Sequence, residues 1–424
     1  MNIVHKSING FVNLVKTKTA KQTGILYGSQ ILVMALGLIT APIVTRLLGP
    51  EKYGILAFVL AVISFISLFF EFGFFSAGAR LLTVSKAKEK DQELIGALTL
   101  ITIGISISFF LTLFVFGFFV DSIFNTNAGH ILRSISILAA IIPFQYMLQQ
   151  ICQGANEIKK MAIANVVPKL WYLAGLLIAL TFLKLDVLLV LVLEFTGIII
   201  AAGLIIWSLK PKFNNLKENF RTIWRETKEY GFHIYTGRVV DISTYQLDKI
   251  FISYFVNTLW VGFYNLAMII TSPMVLLSQA LSTSLFKGFA KRDRIPQKVI
   301  LFNFLWLSVC TVGLMFLGKF IVVILFSNRY LPVVPLILPL ALAGFFQGMY
   351  QPYNMFLGAH RKGKYLRNAA FISAGVNVVG NITLIPIFGA IGAAYASALS
   401  MGFSLMFYFY GYIRTLRGGK YEKL

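Results

Sequence analysis

The stretch GRVVDISTYQLDK, residues 237–249, places Arg238, Asp241, Asp248 and Lys249 directly before the apolar run IFISYFV. Spacings of three, four and three put Arg238, Asp241, Tyr245 and Asp248 on one face of a helix. Ser243, Thr244, Gln246 and Lys249 widen that polar face. In an apolar medium such a stripe has two uses. It can neutralise itself by ion pairing, or it can face a charged, water-filled cavity. An Arg238–Asp241 salt bridge would be purely structural. Asp248 and Lys249 lie at another depth and need further partners, so a water-filled cavity is the second reading. The stripe extends about 15 Å at the helical rise.

Three more ionisable residues fall in apolar surroundings. Glu71 sits in FFEFGFF, Lys169 in the fifth apolar run and Glu194 in LVLEFTG. Glu71 either snorkels to the interface, pairs with Arg80 or faces a cavity; Lys169 and Glu194 are cavity groups or structural ones. His5, His130, His233 and His360 are isolated, and His233 at the start of the seventh run suits an interfacial position. There is no Ser-His-Asp or His-x-x-x-His pattern, no exposed pair of carboxylates and no GxxxxGK[ST] phosphate loop. Cys152 and Cys310 are far apart without a CxxC, so neither a disulfide nor a metal site is expected; both read as small apolar side chains. No catalytic group, no metal site and no cofactor is expected from these residues.

The elements that must carry these charges are membrane helices. Of 424 residues 58% are hydrophobic and 13% charged, against about 25% charged in soluble domains. The apolar runs are continuous and about 20 residues long, which fits spanning helices and excludes an alternating β-barrel. Twelve spans are expected, at 24–45, 53–78, 94–120, 131–152, 161–183, 187–208, 230–256, 260–286, 297–326, 333–357, 365–386 and 389–413. Pro335, Pro339 and Pro352 suggest a kink or a late start in the tenth. The first run has spanning length and no convincing small-x-small site after it, so it reads as a span, not a leader. Before it, Ile8, Phe11, Val12 and Val15 repeat at helical spacing, followed by Lys16, Lys18 and Lys21. Residues 1–23 therefore read as an interfacial amphipathic segment.

The net charge of +22 is distributed unevenly. Of the 38 Lys and Arg, 29 fall at the termini and in the even-numbered loops, six in the odd-numbered loops and three within spans. That asymmetry places both termini in the cytoplasm and accounts for the positive charge without a nucleic-acid partner. The longest hydrophilic stretch, near 210–229, is too short to fold as a catalytic domain. QGANEIKK (153–160) and LGAHRKGK (357–364) repeat at an offset of 204. RLLGPEKYGIL (46–56) and SYFVNTLWVGFYNL (253–266) repeat at about 208. The chain then divides into an amphipathic segment 1–23, a six-helix lobe 24–208, a basic linker 209–229, a second lobe 230–413 and a tail 414–424. Parallel repeats of this kind are a transporter arrangement, with substrate handled between the lobes.

The stretch TRLLGPEKYGILAFVLAVISFISLFFEFGFFSAGARLL (45–82) resembles the first hairpin of Wzx-type O-antigen and polysaccharide-biosynthesis flippases, members of the multidrug/oligosaccharidyl-lipid/polysaccharide (MOP) exporter superfamily. The family turn R-x-L-G-x-x-x-Y-G is met by Arg46, Leu48, Gly49, Tyr53 and Gly54. LDKIFISYFVNTLWVGFYNLA (247–267) is similar to the matching turn of the second lobe, and FGAIGAAYASALS (388–400) to the last helix. The resemblance implies an all-α, MATE/MOP-like fold of twelve helices in two lobes around a central cavity. It implies a bacterial plasma (inner) membrane protein that flips an undecaprenyl-diphosphate-linked oligosaccharide, an O-antigen or similar lipopolysaccharide repeat unit, by alternating access. Membrane lipids, a polysaccharide polymerase and chain-length proteins are the further partners implied. A diphosphate needs bases: Arg238, Lys249 and Lys169 could supply them within the membrane, Tyr245 beside them, with Arg46 and Arg80 at the outer and inner mouths. Coupling to a proton or sodium gradient would use Glu71, Asp241, Asp248 or Glu194.

Two other classes remain in view. A drug or cation antiporter of the same superfamily shares the two-lobe plan, but the intramembrane charges here mix signs. A membrane polymerase or ligase would need sizeable outer loops, and these are short. Lipid II flippases usually carry extra helices that this chain lacks.

Overall fold

The computed structural model describes residues 18–85, 87–182 and 184–421, apart from the side chains at 18–21, 23, 182, 240–245, 287 and 418–421. The amphipathic segment expected at 1–23 lies almost wholly outside the described residues, as does the end of the tail 414–424. Helices account for the regular structure, with no strand among the described residues.

Helix α1 (Lys18–Leu68) turns at Gly49, whose φ of 73° and ψ of 170° suit glycine alone. It holds the first expected span and the beginning of the second. The second was expected as one helix over 53–78, and the structure corrects this. Residues 69–73 leave the helix, with Phe72 at φ 49° and Gly73 at φ 80°, and α2 (Phe74–Val84) resumes it. Hydropathy does not register the break, because FFEFGFF is apolar on both sides of Glu71. Gly73 is needed there for a second reason: a Cβ would stand 2.4 Å from the carbonyl carbon of Gly231.

The chain continues through α3 (Lys88–Phe116), α4 (Val120–Phe124), α5 (Gly129–Ala139), α6 (Ile142–Gly154), α7 (Ile158–Phe182) and α8 (Val187–Leu209). Amphipathic α9 (Leu216–Glu226) leads through a π-helical turn (Thr227–Gly231) into α10 (Phe232–Phe255). Then come α11 (Thr258–Thr271), α12 (Pro273–Ser284), α13 (Phe286–Phe289), α14 (Gln297–Phe326), a 3₁₀ turn (Asn328–Val333), α15 (Val334–Ala359), α16 (Gly363–Phe388) and α17 (Ala390–Tyr421). Asn257 starts α11 by accepting the Trp260 amide at 3.1 Å. Pro273 opens α12, where its missing N–H costs nothing, and the α11–α12 pair bends by 46°.

Among the described residues nine helices are long and apolar enough to cross a membrane, or ten if α11–α12 is one span. Twelve spans follow when α1 is divided at Gly49 and α10, whose charges keep it out of a compositional count, is included.

The helices form two compact units. One comprises Met1–Ile43, Phe69–Phe114 and Ser134–Tyr235. Its core joins Phe75 and Leu82 of α2, Leu94 and Leu98 of α3, Met147 and Ile151 of α6, Ile205 of α8 and Ile223 of α9. The other comprises Val44–Leu68, Val115–Arg133 and Thr236–Leu424. There Phe289, Ile295, Tyr353, Phe356, Tyr408 and Tyr412 cluster, and Ala393, Ala394 and Ala396 of α17 are fully buried. A Cβ on Gly392 would meet the Leu384 carbonyl at 2.2 Å, and one on Gly380 would meet Ala396 at 2.8 Å. Small residues thus let α16 and α17 pack backbone to backbone, the usual route to tight association where lipid removes the hydrophobic drive.

Candidate functional site

That close packing brings α16 and α17 onto the end of α10, around Asp248. Tyr264 (α11) and Ser397 (α17) donate their hydroxyls to Asp248 Oδ2 at 2.6 and 2.7 Å. Asn377 and Asn381, one turn apart on α16, donate their amides to Asp248 Oδ1 at 3.0 and 2.6 Å. Asp248 is 3% exposed and its partners are buried with it. The four donors are neutral, so the carboxylate is solvated by protein dipoles in place of water. Asn381 Nδ2 also reaches Asn377 Oδ1 at 3.0 Å, while Asn381 Oδ1 is buried with no hydrogen-bond partner. The cluster opens onto a cavity of about 90 Å³ whose walls include Thr271, Ser272, Gly344, Gln347 and Met401. Such a cavity has room for several waters. A buried carboxylate ringed by two hydroxyls and two amide N–H groups is a polar site of the kind that intramembrane proton and ion pathways use.

Of the other residues in the expected stripe, Arg238 and Lys249 are half-buried on α10. The side chains of Asp241 and Tyr245 lie outside the described residues. Lys169 (α7) and Glu194 (α8) are brought together at 2.6 Å, 32% and 21% exposed. Beside them Trp171 donates its indole N–H to Thr196 at 3.0 Å. Glu71 is buried in the break between α1 and α2. Arg80 does not pair with Glu71, one of the readings its sequence position allowed. It lies 2.7 Å from Glu226 and stacks over Tyr230, because the π-helical turn packs against α2.

Arg46 donates to the carbonyls of Leu325, at 2.9 Å, and Ile324. These belong to the last turn of α14, where carbonyls lack helical partners and the helix dipole favours a cation. The motif containing Arg46 forms a tight crossing within the second unit. A Cβ on Gly54 would fall 2.4 Å from the Thr258 carbonyl, and one on Gly262 would fall 2.9 Å from Gly54 Cα. Gly54 and Gly262 are separated by 208 positions, the offset of the sequence repeat, so repeat-related glycines touch each other. Asn265 donates to the Tyr53 hydroxyl at 2.9 Å, and Tyr330 donates to the Thr45 carbonyl at 2.7 Å. Tyr330 also meets Tyr53 and Phe263 edge to face.

Asp248 is legible in the sequence as a charge within a span, but the groups that hold it are not. Asn377, Asn381 and Ser397 were missed; the available signal was two amides one turn apart on an otherwise apolar span. Tyr264 stands in the sequence only as part of the turn motif 247–267.

A multi-pass helical chain with broken spans and a buried polar cluster belongs to the class of membrane transport folds. The solved structure of the lipid II flippase MurJ in an inward closed conformation superposes with a TM-score of 0.72 at 16% identity, covering 92% of this chain and 89% of that one. An inward-facing multidrug resistance MATE transporter of the MOP superfamily gives 0.70 at 13% identity, covering 94% and 96%. Residues 19–291 match the family model described as polysaccharide biosynthesis protein, and the chain belongs to that family. It is 24% identical over 370 residues to the probable low-salt glycan biosynthesis flippase Agl15 of Haloferax volcanii, covering 84% of this chain and 75% of that protein. An uncharacterised membrane protein of Methanocaldococcus jannaschii is 27% identical over 231 residues; the match spans 52% of this chain and 45% of that relative.

Proposed function

We propose that this protein flips a lipid-linked oligosaccharide, carried on undecaprenyl diphosphate, from the inner to the outer leaflet of a bacterial plasma membrane by alternating access. The observation that carries the reading is the match to the polysaccharide biosynthesis family across the first seven spans and beyond, supported by similarity to a probable glycan flippase. The cytoplasmic placement of both termini rests on the asymmetry of Lys and Arg. The diphosphate of the substrate meets Arg238, Lys249 and Lys169, the bases that lie within spans. Polymerase and chain-length proteins act on the product after it crosses.

Asp248 is the coupling site in this reading, binding a proton or sodium ion in exchange for movement of the lipid. Its support is the buried carboxylate with four neutral donors beside a small cavity. A cation would draw on Asp248, Ser397, Tyr264 and the amide oxygens of Asn377 and Asn381. Arg46, at the glycine crossing, holds the external side shut in this reading.

The decisive experiment deletes the gene and follows the lipid-linked repeat unit. Its accumulation on the cytoplasmic face, with loss of surface glycan, is expected. Normal surface glycan in a strain without a redundant exporter would overturn the proposal. Drug efflux with no effect on glycan would move the assignment to an antiporter, which at present has only the shared fold behind it.

A further inference from the structure

The linker between α8 and α10 carries a second feature that export does not explain. Helix α8 ends at Leu209 with Trp207 81% exposed nearby. The chain then folds tightly over the start of α3: the Lys212 amide donates to the Gln92 carbonyl at 2.9 Å, and Lys212 Nζ meets Glu89 at 2.5 Å. Helix α9 is thereby fixed beside the ends of α8 and α3, two helices of spanning length. Its inner face is formed by Asn219 and Ile223, continued by Thr227, all buried. Lys217, Arg221, Trp224 and Lys228 follow at spacings of four, three and four along the exposed face, with Arg225 beside them.

Lys217, Arg221 and Arg225 have no ion-pair partner among the described residues. Of the acids nearby, Glu226 is turned to Arg80, leaving Glu218 and Glu229 on the flanks. Trp224 is 52% exposed although its ring stacks on Phe74 at 5.8 Å, and Lys228 Nζ lies 5.1 Å from its centroid. A face meeting only water has no use for a half-exposed indole within a basic stripe. Indole is the side chain of the headgroup layer, and a cluster of bases on an amphipathic helix complements anionic lipid.

We propose that the exposed face of α9 and the following turn is a docking surface for anionic phospholipid headgroups, which hold the linker against the membrane. The test uses the full-length protein in nanodiscs, with brominated phosphatidylglycerol or brominated phosphatidylcholine as quencher. Trp224 is read as the part of the fluorescence lost in Trp224→Phe. The brominated phosphatidylglycerol should quench that part more strongly, and the excess should fade at high salt. Titration in Lys217→Gln/Arg221→Gln/Lys228→Gln should need about a hundredfold more anionic lipid for the same excess. Arg221→Gln alone, about fivefold, serves if the triple variant fails to fold. Lys217→Arg/Lys228→Arg should behave as wild type. Equal quenching by the two lipids, or an unchanged excess in the Gln variants, would overturn the proposal. So would an excess produced by undecaprenyl diphosphate but not by phosphatidylglycerol, which would make the surface a substrate-capture site. No outcome depends on transport.

Discussion

Asp248 occupies a position that a structural ion pair would not need. Its partners are two amides and two hydroxyls, so neutral dipoles take the place of water around the carboxyl group. Asp248→Asn keeps the shape and removes the charge. The expected outcome is a folded, inserted protein whose export falls at least tenfold, measured by surface glycan in a complemented deletion strain and by thermal unfolding in detergent. Wild-type export by this variant would remove Asp248 from the coupling role. Asn381→Ala deletes a hydrogen bond to a charged group, worth about 1.5–3 kcal/mol, and should lower the unfolding midpoint without altering insertion. The Lys169–Glu194 pair makes the opposite prediction. Lys169→Met leaves an uncompensated carboxylate and should cost about 1–3 kcal/mol, less than a fully buried pair because both groups keep some exposure. The double variant Lys169→Met/Glu194→Leu should recover most of that loss. Equal damage from the single and double variants would point to a role for Lys169 beyond neutralising Glu194.

At the scale of elements, the chain spends its glycines where backbones meet. Gly54 and Gly262 let α1 and α11 cross in direct contact, and Gly49 supplies the turn that aims them. Gly49→Ala should cost about 1–3 kcal/mol, because φ 73° with ψ 170° is a backbone region that essentially only glycine occupies. Gly54→Leu should cost more, since its side chain would enter the Thr258–Leu259 backbone. The hydrogen-bonded pair Tyr53 and Asn265 offers a functional test of the same crossing. In a background with Cys152 and Cys310 replaced, a short bis-methanethiosulfonate should bridge Tyr53→Cys/Asn265→Cys across the space the hydrogen-bonded pair fills and stop export, and reductant should restore it. Full export by the cross-linked form would show that this crossing does not open in the transport cycle.

At the scale of the molecule, the exposed apolar side chains of α14 and α16, among them Phe302, Phe316, Phe320 and Ile382, form a surface that only lipid would cover. The charge asymmetry then sets the orientation. A cysteine at the exposed Asn214, in the same cysteine-free background, should react with an impermeant maleimide only in inverted vesicles. One at Leu185, between α7 and α8, should react only in intact cells. Labelling of both from the same side would break the alternation on which the twelve-span reading depends.

Much of this was written in the chain itself. Apolar runs of spanning length determine helices in a membrane, because only a helix satisfies its own backbone without water. The repeat in the turns suggested two related halves, and the cost of burying charge singled out Glu71, Lys169, Glu194, Arg238, Asp241, Asp248 and Lys249. What the sequence could not decide is partnership, since pairing across 129 to 149 positions leaves no mark on local pattern. Asn377, Asn381 and Ser397 read as stray polar residues until small side chains on α16 and α17 bring them to one carboxylate. The break at residues 69–73 was hidden for the same reason: hydropathy counts side chains, and only the tertiary approach of Gly231 to Gly73 requires the backbone to turn there.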